Sequence, residues 1–112
     1  MVIKLDERPR VSVGDTELIS INYTDHLNSA EVLTEPVTVA EVSTTDLTIG
    51  SAAVNSATYI EVETEDTVAV GKAVQFMVSG GHENIAYTIR ITVTTNSSPA
   101  RIIVRDIELL FE

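Results

Sequence analysis

The sequence predicts an all-β protein, and three observations lead to that prediction. Valine, isoleucine and threonine together make up 40 of the 112 residues, and their β-branched side chains favour strands over helices. Several segments alternate apolar and polar residues with a period of two, whereas no segment places apolar residues at helical spacing. Turn-forming glycine, proline, asparagine and serine residues separate these segments. Together these features indicate one small domain built from antiparallel strands.

The chain begins with a segment that we predict to be an N-terminal arm, residues 1–13, followed by a single β-sandwich domain, residues 14–112. The arm mixes apolar and charged side chains and has too little apolar surface to fold on itself. A frayed terminus is one interpretation of such a segment. The other is docking on a neighbouring subunit, with two apolar side chains in grooves and two arginines against acidic residues. In that case the interface residues are Ile3, Leu5, Arg8 and Arg10.

Seven strands are predicted in the domain, at residues 17–23, 37–42, 47–49, 58–64, 72–79, 85–93 and 101–111. The clearest is 85–93, in which every second residue from Ile85 to Val93 is apolar or tyrosine. This pattern is typical of a strand with one face on a core and one face in water. In the last strand the alternation changes phase between Val104 and Ile107, which a β-bulge would explain.

The inward positions of these strands define a predicted core: Ile19, Ile21, Val74, Phe76, Val78, Tyr87, Ile89, Ile91 and Val93. About seven short strands at this spacing favour an immunoglobulin-like antiparallel β-sandwich, with a small closed barrel as the alternative. The chain contains no cysteine and no tryptophan. It therefore lacks the disulfide and core tryptophan of antibody domains, and the predicted likeness is one of architecture.

The charge balance limits the partners that the chain can bind. Seventeen acidic residues stand against seven basic ones, for a formal net charge of −10. Such a chain repels the phosphate backbone of nucleic acids and the anionic surface of membranes. No apolar run approaches the roughly 20 residues of a membrane span, and the charged first ten residues do not resemble a signal peptide. We therefore expect neither a nucleic-acid partner nor a membrane partner.

The candidate metal ligands are two histidines and a row of glutamates. His26 and His82 each lie beside one acidic residue in a polar segment, and no further ligand is evident for either. Glu61, Glu63 and Glu65 share one face of a predicted strand, where their carboxylates would spread outward and not converge on calcium. We expect all five residues to be exposed, with no metal or other cofactor bound.

The sequence also lacks the usual signatures of catalysis. There is no Gly-x-Ser-x-Gly elbow, and Gly80–Gly81 is too short to cradle a phosphate and does not precede a helix. The absence of cysteine removes thiolate nucleophiles. We therefore expect that the chain is not an enzyme.

Several short motifs resemble those of the fiber-tail adaptor family, small virion proteins of tailed bacteriophages. The motifs are a Ser-Gly-Gly turn at 79–81, Tyr-Thr-Ile at 87–89, Val-Thr-Thr at 93–95, and then Arg101 before a final alternating strand. In the N-terminal part, Asn22-Tyr23 and Leu27 match the places where the family has Asp-Trp and a leucine. The chain departs from the family at Tyr23, where tryptophan is usual, and in a longer 95–101 connection that contains Pro99.

The resemblance implies a structural protein of the virion, located in the tail or neck. It implies a homo-oligomer with cyclic symmetry whose partners are other tail, adaptor or portal-proximal proteins, and it implies no cofactor. A stand-alone immunoglobulin-like module that binds a glycan or a protein is the alternative function. Exposed aromatic rings would favour that alternative, and Tyr59 is the one aromatic residue predicted to be exposed.

Overall fold

The all-β prediction is confirmed by a computed structural model that describes residues 2–4, 10–60 and 67–112. The described residues form eleven strands: β1 Val2–Lys4, β2 Arg10–Val11, β3 Glu17–Asn22, β4 Leu33–Val42, β5 Thr48–Ile49, β6 Ala53–Val54, β7 Tyr59–Ile60, β8 Thr67–Val68, β9 Ala73–Ser79, β10 Ala86–Thr95 and β11 Ile102–Phe111. A 3-10 turn, Thr24–His26, is the one helical element within the described ranges. No described helix has the length and apolar composition to cross a membrane.

Two sheets contain nearly all of the strands. The first sheet has the order β1-β3-β9, and both β5 and β6 pair with the far side of β9. The second sheet has the order β2-β11-β10-β4, while β7 and β8 form a separate two-stranded pair. Neighbouring strands are antiparallel except at β1–β3 and β2–β11, where the N-terminal strands pair in parallel. Most of the pairing is therefore between strands that run in opposite directions, as predicted.

One hydrophobic core receives side chains from both sheets. All nine predicted core residues are buried, and none exposes more than 1% of its surface. In β10 the burial alternates from Tyr87 to Val93, which matches the two-residue period of the sequence. Ile85, which the sequence pattern placed on the same face, precedes the strand and is exposed. Burying an isoleucine contributes about 1.5–3 kcal/mol, so this shared core is the main stabilising feature of the fold.

The β-bulge predicted in the last strand is wrong. The register between β10 and β11 is unbroken from the Ala86–Leu110 pair to the Thr94–Ile102 pair. The apparent change of phase comes from Arg105, which lies on the same side of β11 as the buried residues Ile103 and Ile107 but has an exposed side chain. In the sequence, a charged residue at an inward position therefore looks like an extra residue inserted into the strand. The irregular register lies instead between β10 and β4, at Thr92 and Thr94.

Parts of the predicted N-terminal arm pair with the sheets of the same chain. Val2–Lys4 is in register with Ser20, Ile21 and Asn22 of β3. Arg10–Val11 pairs with the end of β11, and Val11 is 1% exposed within the core. The arm therefore contributes an edge strand to each sheet.

Candidate functional site

The outward side of the second sheet carries an uncharged surface that includes two exposed apolar residues. Ile102 is 70% exposed and Val104 is 46% exposed. Their neighbours across the sheet are Thr94 and Thr92, and Thr38 of β4 is the next residue beyond Thr92. We call these five residues the Ile102 face. None is charged, although 17 of the 112 residues are acidic.

The Ile102 face follows directly from the alternation of the strands. In β11, Ile103 points into the core, so Ile102 and Val104 on either side of it must point outward. Exposed apolar residues in a group mark surfaces that bind a partner more often than scattered ones do. The face is therefore the strongest candidate for a functional surface in the described part of the chain.

An ion pair borders the Ile102 face. Arg90 Nε lies 2.9 Å from Asp106 Oδ1, and Arg90 Nη2 lies 3.1 Å from Asp106 Oδ2. The two residues are directly opposite each other in register. The Arg90 guanidinium holds the pKa of the Asp106 carboxyl below its usual value. Because the Arg90 and Asp106 charges are paired with each other, this edge of the Ile102 face adds little net charge to the surface.

A second polar cluster fastens the loop between β3 and β4. Glu31 is only 4% exposed, and its carboxylate accepts hydrogen bonds from Arg101 Nε at 2.9 Å and from Arg101 Nη2. The Asn28 amide also donates to Glu31 Oε1 at 3.1 Å. Arg101 further donates to the His26 carbonyl oxygen at 2.9 Å. The Glu31–Arg101 pair thereby links the loop between β3 and β4 to the start of β11, immediately before the Ile102 face.

The Lys72 ammonium closes the other side of the same loop. Lys72 is 9% exposed, and its Nζ donates to the carbonyl oxygens of Asn28 and Ser29, each at 3.2 Å, and to that of Glu31. A buried ammonium is tolerated when acceptors surround it. The three carbonyls serve as those acceptors, so Lys72 holds the loop in one conformation.

We expect the Glu31–Arg101 pair to make stability depend on pH. The hydrogen bonds from Arg101 hold the pKa of Glu31 well below its usual range. A carboxyl whose pKa is lowered by folding stabilises the fold above its unfolded pKa, which is about 4.3, and loses that contribution as the pH falls toward its folded pKa. Glu31→Gln cannot titrate. It should therefore be less stable than the unaltered chain at pH 7 and show a shallower loss between pH 5 and pH 3.

Urea denaturation at pH 7, 5 and 3 measures this difference. Glu83→Gln is the matched control, because Glu83 is exposed and its loss should leave the profile unchanged. Identical profiles for Glu31→Gln and the unaltered chain would contradict the assignment.

A third polar cluster surrounds the hydroxyl of Tyr87. This hydroxyl donates to Asp46 Oδ2 at 2.9 Å and accepts from the His82 amide at 2.9 Å. His82 Nε2 lies 3.7 Å from the same Asp46 oxygen. Burial raises the pKa of Tyr87. The cluster connects the turn at residues 80–84 to the loop before β5. Its hydrogen bonds therefore hold these two segments together.

One shallow cavity of about 240 Å³ lies beside the Glu31 loop. Its lining residues are Asn28, Ala30, Glu31, Asn96 and Ser97. The Glu31 carboxylate is already bonded to Arg101, and the Asn96 side-chain oxygen accepts from the Val32 amide at 2.9 Å. The lining therefore offers amides and the Ser97 hydroxyl, beside a carboxylate that is committed to the Arg101 guanidinium.

The predicted metal candidates fall in three places. His26 and His82 are exposed, as predicted. Glu61, Glu63 and Glu65 lie outside the described residues. Within residues 10–60 and 67–112, no three histidine or acidic side chains come together in a group that could hold a metal ion. The described part of the chain thus brings none of these candidates into a common site.

The predicted interface residues of the arm are only partly described. Ile3 belongs to β1 and is in register with Ile21. Leu5 and Arg8 lie outside the described residues. Arg10 is exposed in β2, with its Nη1 3.2 Å from Glu112 Oε1. Of the four predicted interface residues, Arg10 therefore has a described side-chain contact, and that contact lies within the chain.

The aromatic residues are mostly internal. Four of the five rings are at most 1% exposed: Tyr23, Phe76, Tyr87 and Phe111. Tyr59 is half-buried, so the prediction that it is exposed is wrong. The Tyr87 and Phe111 rings meet edge to face with centroids 5.4 Å apart. Tyr23 is fully buried, and burial raises its pKa. These rings serve the core and leave no flat aromatic platform on the described surface.

Comparison of the sequence and the fold with known proteins finds no relative of this chain. No protein-family model, no curated protein and no solved structure matches the chain. Functional interpretation therefore depends on the residues themselves.

Proposed function

We propose that this chain is a structural protein of a tailed-phage virion, which acts in the tail, adaptor or fiber-attachment region as a homo-oligomeric interaction module. The Ile102 face carries this proposal. An uncharged patch with two exposed β-branched apolar residues on an otherwise acidic chain fits a surface that is covered in an assembly. The resemblance of the motifs at residues 79–101 to fiber-tail adaptors supports the location in a phage tail.

The arrangement of the strands supports an immunoglobulin-like sandwich as the form of this module. An immunoglobulin constant-type sandwich groups its first, second, fifth and fourth strands in one sheet and its third, sixth and seventh in the other. Here β3, β9 and the short β5 and β6 form one group, and β4, β10 and β11 form the other. The grouping of these strands supports the immunoglobulin-like form, whereas the parallel pairing of β1 with β3 departs from its antiparallel sheets.

The position of Tyr87 supports the same form. Immunoglobulin-like domains often have a tyrosine near the start of their sixth strand, and its hydroxyl bonds to the backbone a few residues upstream. Tyr87 is the second residue of β10, and its hydroxyl bonds to the amide of His82. The residue two places after the tyrosine, a cysteine in antibody domains, is the buried Ile89 here.

A structural role is also supported by the way in which buried polar groups are used. The Asn55 side chain accepts from the amides of Gly71 and Ala73 and donates to the carbonyls of Ala57 and Ala69. Lys72 and Glu31 are likewise bonded within the chain. Polar side chains that are hydrogen-bonded within the chain stabilise its loops and are not free to act in catalysis. This use of polar groups favours a structural protein over an enzyme.

The glycan-binding alternative has less support. Sugar-binding modules usually stack aromatic rings on the faces of the sugar, and four of the five rings of this chain are buried. The arm remains a second proposed contact, through Ile3, Leu5, Arg8 and Arg10. Because β1 and β2 sit at sheet edges, the same strands could pair with a neighbouring copy by exchange.

A matched pair of variants tests the proposed function. Ile102→Asp places a charge on the Ile102 face at its most exposed residue and should lower the oligomeric state of the purified protein. Ile60→Asp is the control, because Ile60 is similarly exposed, at 62%, but lies on β7, which is not part of the sheet that carries this face. Light scattering and sedimentation measure the difference. Equal oligomeric states in the two variants would contradict the role of the face, and deletion of residues 1–10 tests the arm in the same assay.

The location in a virion needs a separate measurement. Mass spectrometry of tailed particles released from a host that carries the gene should detect this chain at a fixed ratio to the tail proteins. Particles that lack the chain would refute the virion assignment, whatever its oligomeric state.

A further inference from the structure

One edge of the second sheet is a long strand that is paired on one side. β4 pairs with β10, and no other strand within the described ranges pairs with it. Near its start the edge is covered, because the amide of Val54 in β6 donates to Glu35 Oε1 at 2.7 Å. Further along, at residues 37–42, no loop of the described chain forms a backbone hydrogen bond with the strand. We call residues 37–42 the β4 edge.

The bonds to β10 show which backbone groups of the β4 edge point outward. The carbonyl oxygen of Thr94 in β10 accepts a hydrogen bond from a β4 hydroxyl at 3.0 Å. Thr94 and every second residue before it therefore direct their backbone groups toward β4. One of these is Thr92, which lies opposite Thr38. Thr38 thus bonds to β10, whereas its neighbours Val37 and Val39 direct their N–H and C=O groups away from the sheet. Backbone groups in this position bind an added strand.

The side chains of the β4 edge suit a neighbouring strand. Val37 and Val39 are half-buried and pack against the core, while Thr38 is exposed on the outward side of the sheet. Pairs of β-branched side chains across two strands stabilise a sheet. An added strand with valines at the matching positions would therefore extend the packing of this edge as well as its hydrogen bonds.

The glutamates of β4 are held by their own chain. Glu41 accepts hydrogen bonds from the amides of Asp46 at 3.0 Å and Leu47 at 2.9 Å, and Glu35 is bonded to the Val54 amide. The residues between these two glutamates are uncharged. Two copies of a chain with a net charge of −10 can therefore approach along this segment without placing an uncommitted carboxylate between them.

We propose that β4 of one copy pairs with β4 of a second copy, antiparallel and about a two-fold axis at Thr38. Val37 of each copy then lies opposite Val39 of the other, and the two residues of each pair exchange both of their N–H···O bonds. A second copy is the occupant that fits, because the segment is uncharged and presents the same β-branched residues on both sides of the axis. The proposal rests on the proposed homo-oligomeric function and specifies one of its contacts.

This pairing would also join the two Ile102 faces. A two-fold axis between antiparallel strands of one sheet is perpendicular to that sheet, so the outward sides of both copies lie on the same side of the dimer. Thr38 is the member of the Ile102 face that lies on β4. The two faces therefore meet at the axis and form one uncharged surface, which a further component of the assembly could cover.

Amide hydrogen exchange of the unaltered chain tests the pairing, with a control in the same strand. The Val39 amide should exchange quickly in dilute solution and should slow by about tenfold or more as the protein concentration rises. The Ala40 amide is directed toward β10 and should exchange slowly at every concentration. Sedimentation of the same samples gives the fractions of monomer and dimer. A Val39 amide that is already protected in the monomer, or that exchanges quickly in the oligomer, would contradict the proposal.

Cysteine cross-linking separates edge pairing from contact between faces, because the chain contains no cysteine. Thr38→Cys and Ile102→Cys place a thiol at two positions of the same outward surface. In the proposed dimer the two copies of position 38 are adjacent. The two copies of position 102 are five strand spacings apart, or about 24 Å. A short bismaleimide should therefore give dimers with Thr38→Cys and none with Ile102→Cys.

Four results would overturn the proposal. Dimers from Ile102→Cys at the yield of Thr38→Cys would show that faces and not edges meet. An oligomer in light scattering that gives no cross-link through Thr38→Cys would refute this contact and leave the proposed function standing. In tailed particles, cross-linking of Thr38→Cys to a different protein alone would identify that protein as the occupant of the edge. A chain that is monomeric at every concentration and absent from tailed particles would refute the contact and the proposed function together.

Discussion

Replacing Ile89 with alanine is expected to lower the free energy of unfolding by about 2–5 kcal/mol, because it leaves a cavity in the core. Ile89 is fully buried at the middle of β10, and Ile107 of β11 is its neighbour in register. Both neighbouring strands are long, so the surrounding backbone has little freedom to collapse into the space. Small domains have total stabilities of about 5–15 kcal/mol, so the variant should unfold at a much lower urea concentration.

Thr88→Ala is the control for this substitution. Thr88 lies on the same strand but on the outward side, half-buried between Val42 and Glu108 in register. Its loss should change the stability by less than about 1 kcal/mol, which is the range of strand propensities. Equal losses for the two variants would contradict the placement of Ile89 at the centre of the core.

The long strands of this fold could be predicted from the sequence because their alternation reports directly on burial. In β3, β9 and β10, each inward residue is apolar and is followed by a polar or small one over at least part of the strand. A pattern of five or more residues leaves little choice of register, because a slip of one residue would expose every core side chain. The nine core residues followed from this argument alone.

The short strands could not be predicted in the same way. Ala53–Val54 and Thr67–Val68 have two residues each, too few for an alternation to be visible. They form because β9 and β7 offer free backbone groups at that position. Arg105 misled the interpretation of β11 for a related reason, since a pattern of residue types does not reveal that an inward position lies near solvent.

The polar clusters depend on contacts that are distant along the chain. Glu31 and Arg101 are 70 positions apart, and Lys72 reaches carbonyls more than 40 positions away. Nothing in the spacing of these residues indicates that they meet. Lys72 and Arg101 are the first residues of predicted strands, whereas Glu31 lies in the middle of the predicted connection between residues 23 and 37, so its position gives no signal. The alternation of β11 contains the Ile102 face, but the apparent change of phase between Val104 and Ile107 hides it in the sequence.

The second large effect is expected at Gly81, where any side chain would enter the core. A Cβ atom on this residue would lie 2.3–2.5 Å from three carbons of the Phe111 ring, far inside van der Waals contact. Phe111 is fully buried and is held edge to face against Tyr87, so its ring cannot move aside freely. We expect Gly81→Ala to lower the free energy of unfolding by about 3 kcal/mol, at the upper end of overpacking effects.

Two further variants separate this steric effect from other causes. Gly14→Ala is the control for conformation: Gly14 has a φ of +90°, but no atom lies within 4 Å of its added Cβ. It should therefore lose only about 1–2 kcal/mol from backbone strain. Phe111→Leu removes the ring that blocks the Gly81 methyl, so the combined variant should be less destabilised than the sum of the two single changes. Strict additivity in urea denaturation would mean that Phe111 does not exclude a side chain at position 81, because two groups that compete for the same space must couple.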